Sequence, residues 1–237
     1  MLLGRDRELD AISELLTRAR DGSSGVLALV GEAGIGKSAL LEWAASSAND
    51  MNVLRARGVQ SEAHIPFAGL FELLRPALDR IEGLPAPQAA ALESALALSP
   101  ARSHDRMAVG AATLGLLALY AETAPVAVLV DDAHWLDASS ADALRFAFRR
   151  LVADPIAVVL TLREGEPSLL DGSDLPALRV EGLAPDAAAE LLRREAPGLT
   201  SEGAARLHRD TGGNPLALLE LAREQPAESR SRRRCPS

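Results

Sequence analysis

Eight consecutive residues carry the clearest chemistry in this chain. Gly31-Glu32-Ala33-Gly34-Ile35-Gly36-Lys37-Ser38 matches G-x-x-x-x-G-K-[ST] at every fixed position. Glycines let the backbone curl so that successive N–H groups point at phosphate oxygens. A helix starting near Lys37 adds the positive end of its dipole, with Ala39 in its first turn. The lysine ammonium suits the β- and γ-phosphates of a nucleotide, and the Ser38 hydroxyl suits Mg²⁺. Lys37 is also the only lysine among 25 basic residues. A genomic preference for arginine codons explains the rest, so the surviving lysine marks a place where a compact ammonium is needed. A glycine-rich turn without a ligand has no use for it. A dinucleotide fingerprint is excluded, because the glycines fall in the order G-x-x-G-x-G.

A second constellation lies downstream. Val126-Ala127-Val128-Leu129-Val130 runs into Asp131-Asp132. An apolar strand thus delivers two carboxylates to the sheet edge where open α/β folds bind ligands. Asp131 would hold Mg²⁺, and Asp132 would orient or deprotonate an attacking water. His134 is either a γ-phosphate sensor or an ordinary packed or solvated histidine. Arg163, at the end of the next apolar run, is either a γ-phosphate contact or a solvated strand-end arginine.

These residues need a scaffold, and the hydrophobic pattern predicts one. Arg5–Arg20 reads as an amphipathic helix with Leu9, Ile12, Leu15, Leu16 and Ala19 on one face. Buried strands are expected at Val26–Val30, Asn52–Arg57, Pro125–Val130, Pro155–Leu162 and Ala177–Val180. Helices are expected at Lys37–Ser47, Phe67–Leu78 and Arg106–Glu122, with a Pro/Ala-rich loop at Leu84–Gln88. Another helix should open at Ser139, with Asp142 in its first turn. Strands alternating with helices imply a parallel sheet in an α/β fold. Beyond Gly182 only helices are expected: Asp186–Arg194, Ser201–Arg209, and a third capped by Asn214 with Pro215 at its first position. The expected units are 1–182, a helical unit 183–224, and a disordered tail 225–237.

Composition narrows the function further. The chain has 237 residues, 48% of them hydrophobic, and a net charge of -8. That suits a folded domain and argues against a dedicated nucleic-acid surface. The four arginines near the C-terminus fit a disordered end better than a DNA contact. One cysteine, Cys235, rules out an internal disulfide framework and a Cys-built zinc site. No signal-peptide segment follows Met1, and the longest uncharged stretch, Met107–Ala121, is too short to span a bilayer. A cytoplasmic protein without membrane contact is the expectation.

Taken together, the ordered pieces resemble the STAND class of P-loop ATPases within the AAA+-like group. More narrowly, they resemble the N-terminal ATPase module of large LuxR-type bacterial transcriptional regulators. The resemblance rests on Leu3-Gly4-Arg5-Asp6-Arg7-Glu8-Leu9, the phosphate loop, and Leu129-Val130-Asp131-Asp132-Ala133-His134-Trp135-Leu136-Asp137. Thr161-Leu162-Arg163 and Gly213-Asn214-Pro215-Leu216-Ala217-Leu218 complete it. It implies a three-layer P-loop sandwich followed by a small helical lid. It also implies that Gly4 and Arg5 lie near the adenine and that Pro215 starts a lid helix closing over the nucleotide. Such proteins are nucleotide-dependent switches, with ATP and ADP as ligands and a protein partner or self-association as the output. Many such ATPases place glutamate where Asp132 stands. The shorter aspartate implies slow hydrolysis, which suits a switch. The family pattern continues into helical repeats and a helix-turn-helix, so a truncated regulator or an isolated module is expected, without direct DNA binding.

Two other readings remain open at this level. A P-loop small-molecule kinase would use lid arginines, for which Arg193 and Arg194 are the candidates. A non-hydrolysing interaction module would bind ATP only to stabilise its fold. Arg149-Arg150 could act as arginine fingers across a subunit interface, although arginines at a helix C-terminus are ordinary.

Overall fold

A computed structural model describes residues 2–99, 105–166, 168 and 175–224. Its strands are β1 (Gly25–Gly31), β2 (Asn52–Arg57), β3 (Val126–Asp131), β4 (Ile156–Arg163) and β5 (Ala177–Arg179). They form one sheet in the order β2-β3-β4-β1-β5, and every pairing is parallel. Parallel neighbours require crossovers, which helices supply on both faces. Val126 to Val130 in β3 and Ile156 to Leu162 in β4 are buried throughout, as central strands covered on both sides must be.

The two-residue period of a strand divides the core cleanly. Val126, Val128 and Val130 point into one layer, with α3 (Ala68–Leu74), α4 (Ala86–Ala95), α5 (Arg106–Ala121) and α6 (Ala138–Phe148). Ala127 and Leu129 point into the other, against α1 (Asp6–Arg20) and α2 (Lys37–Ser47). Ile12, Leu15, Leu16 and Ala19 of α1 are buried on the expected face. The α/β, three-layer architecture read from the sequence is the one observed. A third, smaller apolar cluster joins α7 (Pro185–Glu195), α8 (Ser201–Thr211) and α9 (Pro215–Glu224) through Leu183, Leu192, Leu207 and Leu218.

Three local expectations are corrected. The segment at Leu84–Gln88 is not only a loop: α4 begins at Ala86, with Pro87 in its first turn, where no intrahelical N–H is needed. The helix expected over Phe67–Leu78 is α-helical only from Ala68 to Leu74 and continues as 3-10 turns from Arg75 to Gly83. Pro76 has no N–H to extend the α ladder. Finally, α6 starts at Ala138 under an Asp137 cap, not at Ser139. Asp142 therefore lies beyond the first turn and pairs with Arg145 and Arg106. The arginine-rich tail and Cys235 lie outside the described residues.

Asp137 does more than cap a helix. Its Oδ1 accepts from the amides of Phe67 (2.8 Å) and Ser140 (2.9 Å). Its Oδ2 accepts from the Gly69 amide (3.3 Å) and the Ser140 hydroxyl (2.6 Å). The residue is 3% exposed, so these donors have no access to bulk water as a substitute. Asp137→Ala should therefore lower stability by about 3 kcal/mol, seen as a fall in melting temperature of roughly 6–12 °C for a chain this long. A fall below about 2 °C would mean that the segment before α3 is held by packing alone.

Candidate functional site

The strand order places β3, β4 and β1 side by side, so their C-terminal ends share one edge. Gly31 ends β1 in register with Arg163 of β4. The glycine-rich loop, Asp131 and Arg163 are thereby gathered from distant parts of the chain.

Within the loop, the carbonyls are tied down one after another. Lys37 Nζ donates to the carbonyls of Gly31 (2.9 Å) and Glu32 (2.7 Å). Asn214 Nδ2 donates to the Ala33 carbonyl (2.9 Å), and the Leu216 amide donates to that of Gly34 (3.3 Å). Arg5 Nη2 donates to the Ile35 carbonyl (2.6 Å). Among the described residues, the amides of Gly34, Gly36, Lys37, Ser38 and Ala39 make no hydrogen bond. The last three are the orphan donors that any helix N-terminus carries. This polarity, carbonyls satisfied and amides unsatisfied, is that of an anion cradle. Gly34 allows α9 to come this close: its φ is +75°, and a Cβ there would lie 2.7 Å from the Leu216 Cβ.

The acidic end of β3 is equally ordered. Asp131 Oδ1 accepts from Ser38 Oγ (3.1 Å), Thr161 Oγ1 (2.6 Å) and the Asp132 amide (3.1 Å). The Asp132 amide also donates to Thr161 Oγ1 (2.8 Å). Asp132 adopts a left-handed backbone, φ 47°, and its Oδ2 pairs with Arg57 Nη2 at 3.3 Å. Ser38 and Asp131 form an all-oxygen donor pair of the kind a hard cation prefers. No cluster of three or more His, Cys, Asp or Glu suited to a metal occurs among the described residues. A cation held here would therefore draw its other ligands from phosphates and water.

A cleft of about 390 Å³ runs between these groups, lined by Lys37, Ser38, Asp132, His134, Trp135 and Arg163. Burial, the largest influence, pushes the Lys37 ammonium below its usual range; Asp132 and Asp131 oppose this and Arg163 adds to it. Burial likewise lowers His134, against Asp132 and Glu166, with Lys37 and Arg163 reinforcing it. A largely apolar cleft of about 200 Å³ adjoins the first through Gly36 and Ala39, with Leu2, Leu3, Ile35, Leu183, Leu191 and Pro215 on its walls and Arg5, Arg194 and Glu195 also lining it. A roomier depression of about 690 Å³ between α7 and α8 is lined by none of the residues from Gly31 to Ala39 and by neither Asp131 nor Asp132.

The residues singled out in the sequence divide accordingly. Lys37, Ser38, Asp131, Asp132, Arg163 and the loop from Gly31 to Ala39 converge. Pro215 and Arg5 border the apolar cleft, but the Arg5 guanidinium is committed to the carbonyls of Ile35 and Glu181 (2.7 Å). Gly4 packs against α7, where a Cβ would lie 2.6 Å from the Ala187 Cβ. Arg193 and Arg194 both pair with Glu190 and do not line the phosphate cleft. Arg150 stacks 3.6 Å over the Phe146 ring. Sequence reasoning named Thr161 only as part of a motif, without a role, and missed Arg57 and Gly58. Thr161 is a polar residue inside an otherwise apolar buried strand. Gly58 lies so near the acidic turn that a Cβ would fall 2.1 Å from the Asp132 carbonyl oxygen, which no local pattern announces.

Solved structures of related shape agree on the fold. A Signal Transduction ATPase with Numerous Domains (STAND) protein with a tetratricopeptide-repeat sensor, from Pyrococcus horikoshii, matches 87% of this chain at 20% identity and a TM-score of 0.52. The match spans 28% of that longer chain. A Walker-type ATPase of Pyrococcus abyssi matches 95% of this chain and 69% of its own, at 17% identity and a TM-score of 0.59. RuvB of Thermotoga maritima matches 93% of this chain and 61% of its own, at 14% identity and a TM-score of 0.52. At these identities the likeness carries the fold alone. Comparison with curated protein sequences gives no match. No helix among the described residues is long and apolar enough to cross a membrane. The family model for the AAA ATPase domain matches residues 1–159, two thirds of the chain, and the chain therefore belongs to the AAA ATPase domain family.

Proposed function

We propose that this chain is an ATP-binding module with slow Mg²⁺-dependent hydrolysis that works as a nucleotide-dependent switch. The observation that carries the reading is the loop in which each carbonyl from Gly31 to Ile35 is bonded while the amides from Gly36 to Ala39 are left for an anion. In this reading those amides and Lys37 bind the phosphates. The apolar cleft beside Pro215, with Gly4 and Arg5 bracing its rim, takes the base. Ser38 and Asp131 would hold Mg²⁺, which when bound neutralises charge between the β- and γ-phosphates. Asp132 orients the attacking water and receives its proton, and Arg163 meets the terminal phosphate.

Slow turnover is supported by the state of Asp132. A short side chain, a left-handed backbone and the pairing with Arg57 limit how far its carboxylate reaches. The finer assignment, the ATPase module of a LuxR-type regulator in the cytoplasm that signals to a protein partner or a second copy, rests on the ordered motifs of the sequence. DNA contact by this chain is not part of the proposal. The kinase alternative is weakened, because Arg193 and Arg194 pair with Glu190 and neither lines the cleft beside Lys37, although Arg194 lines the neighbouring one.

Binding and phosphate release measured with Mg²⁺ test this reading. Lys37→Ala removes a charge-assisted contact, so ATP affinity should fall by roughly 10- to 100-fold. Asp132→Asn should keep nucleotide affinity and lose about 10²-fold or more in phosphate release, the range of general-base removal. Tight binding without any release in the wild type would favour the nucleotide-stabilised interaction module instead. Label passing from ATP to a small acceptor would restore the kinase.

Thr161→Val tests the support behind the carboxylates. The change is close to isosteric but leaves the Asp132 amide without its hydroxyl acceptor. Phosphate release should fall about tenfold at limiting Mg²⁺, the effect of losing one well-placed hydrogen bond. ADP affinity measured without Mg²⁺ should be unchanged. Equal losses in both would mark Thr161 as a packing residue only.

A further inference from the structure

We propose that His134 contacts the terminal phosphate of a bound nucleoside triphosphate through Nε2–H, and so makes the site discriminate triphosphate from diphosphate. This rests on the reading of the cleft as a nucleotide site. The 3-10 turn Ala133–Trp135 follows Asp132, whose left-handed backbone redirects the chain at the strand end. His134 thereby joins Lys37, Asp132 and Arg163 in lining the phosphate cleft.

The ring is an unusual packing choice. Its Nδ1 is buried and has no hydrogen-bond partner among the described residues. A buried, unpaired ring nitrogen costs stability that an apolar side chain of similar size would not. Some other property of the ring has to offset that cost. With Nδ1 enclosed and unpaired, Nε2 is the nitrogen left to meet a ligand. Burial keeps the ring neutral, so it can present one N–H without adding a second proton. A ring protonated at Nε2 is a donor there. It cannot take a proton from water at that atom, which leaves the base role to Asp132. Nor is it a natural Mg²⁺ ligand, since that ion prefers oxygen. A phosphate oxygen, an acceptor carrying full charge, is the partner that fits. Lys37 already spends two of its donors on Gly31 and Glu32. A further neutral donor on the Asp132 and Arg163 side of the cleft therefore has room to act. The inner phosphates would face the loop amides and the outermost would face His134.

The experiment compares the affinities of ADP and of β,γ-imido-ATP, both with Mg²⁺, in the full chain and in His134→Phe and His134→Gln. The Phe variant keeps the bulk and loses the donor. The Gln variant restores an N–H near the Nε2 position. Phe should lower imido-ATP affinity about tenfold and ADP affinity less than about twofold, with Gln close to wild type. Equal loss of both nucleotides in the Phe variant, or no loss of either, overturns the proposal. Long-range ¹⁵N spectra of the wild-type ring give a readout independent of the variants' folding. The Nε2 resonance should shift with imido-ATP and not with ADP, and identical shifts with both overturn the proposal. A wild type that binds neither nucleotide, or a Lys37→Ala variant that binds both normally, would instead overturn the nucleotide reading itself.

Discussion

The orientation of the peptide groups between Gly31 and Ala39 is the constraint on which this site depends. Each peptide is planar, so fixing a carbonyl fixes the direction of the amide attached to it. Lys37, Asn214, Leu216 and Arg5 bond the carbonyls from Gly31 to Ile35. They come from the loop itself, from the lid and from the N-terminal segment. Through these peptides they fix the amides of Glu32 to Gly36, of which Gly34 and Gly36 are left unpaired, while the first turn of α2 orients those of Lys37 to Ala39. Those donors cost stability in the folded chain unless water or an anion takes them. The proton affinity of Lys37 is lowered chiefly because its ammonium is held away from water, against the pull of Asp132 and Asp131.

The sheet supplies the opposite charge at a fixed separation. With β4 between β1 and β3, Thr161 stands where it can donate to Asp131 and accept from the Asp132 amide. One buried hydroxyl therefore fixes both acidic residues, and through Ser38 the acidic end is bonded to the first turn of α2. Asp137 continues the same logic outward, joining the acidic turn to the segment that starts α3. The site is a chain of hydrogen bonds strung across strand ends. The continuous apolar runs beneath it exist to keep those ends level.

Much of this was legible in the sequence because the relevant patterns are local. Val126–Val130 and Ile156–Leu162 are uninterrupted apolar runs, which fit few places other than buried parallel strands. The phosphate loop announces itself by spacing, and Asn214-Pro215 by helix-cap chemistry, realised as Asn214 Oδ1 accepting from the Leu216 amide at 3.1 Å. Expectations failed where a residue's role is set by something distant in sequence. Asp137 caps α6 locally through the Ser140 amide, but its bonds to the amides of Phe67 and Gly69, about 70 residues away, have no sequence signal. Arg57 meets Asp132 only because β2 pairs with β3, and no periodicity states that pairing. Prolines misled in a different way. Pro85 and Pro87 read as loop, yet a helix tolerates proline in its first turn, and Ala86–Ala95 uses that tolerance.

The lid and a phosphate ligand meet the same loop from opposite sides of its peptide planes. Asn214 and Leu216 bond to carbonyls, whereas an anion would bond to amides. A ligand that turns the Ala33–Gly34 peptide must weaken the hydrogen bond from Asn214. A ligand that accepts it as it is leaves that bond intact. That bond is worth about 1 kcal/mol, a factor of roughly 5 in how firmly α9 is held to the loop. Gly34 sharpens the dependence, because without a side chain there the Leu216 side chain rests directly on the loop backbone. A ligand can shift a conformational balance only by binding its two states unequally. Only the Ala33–Gly34 peptide is shared, with its carbonyl on Asn214 and its Gly34 amide unpaired, so any coupling between a ligand and α9 has to pass through that one peptide.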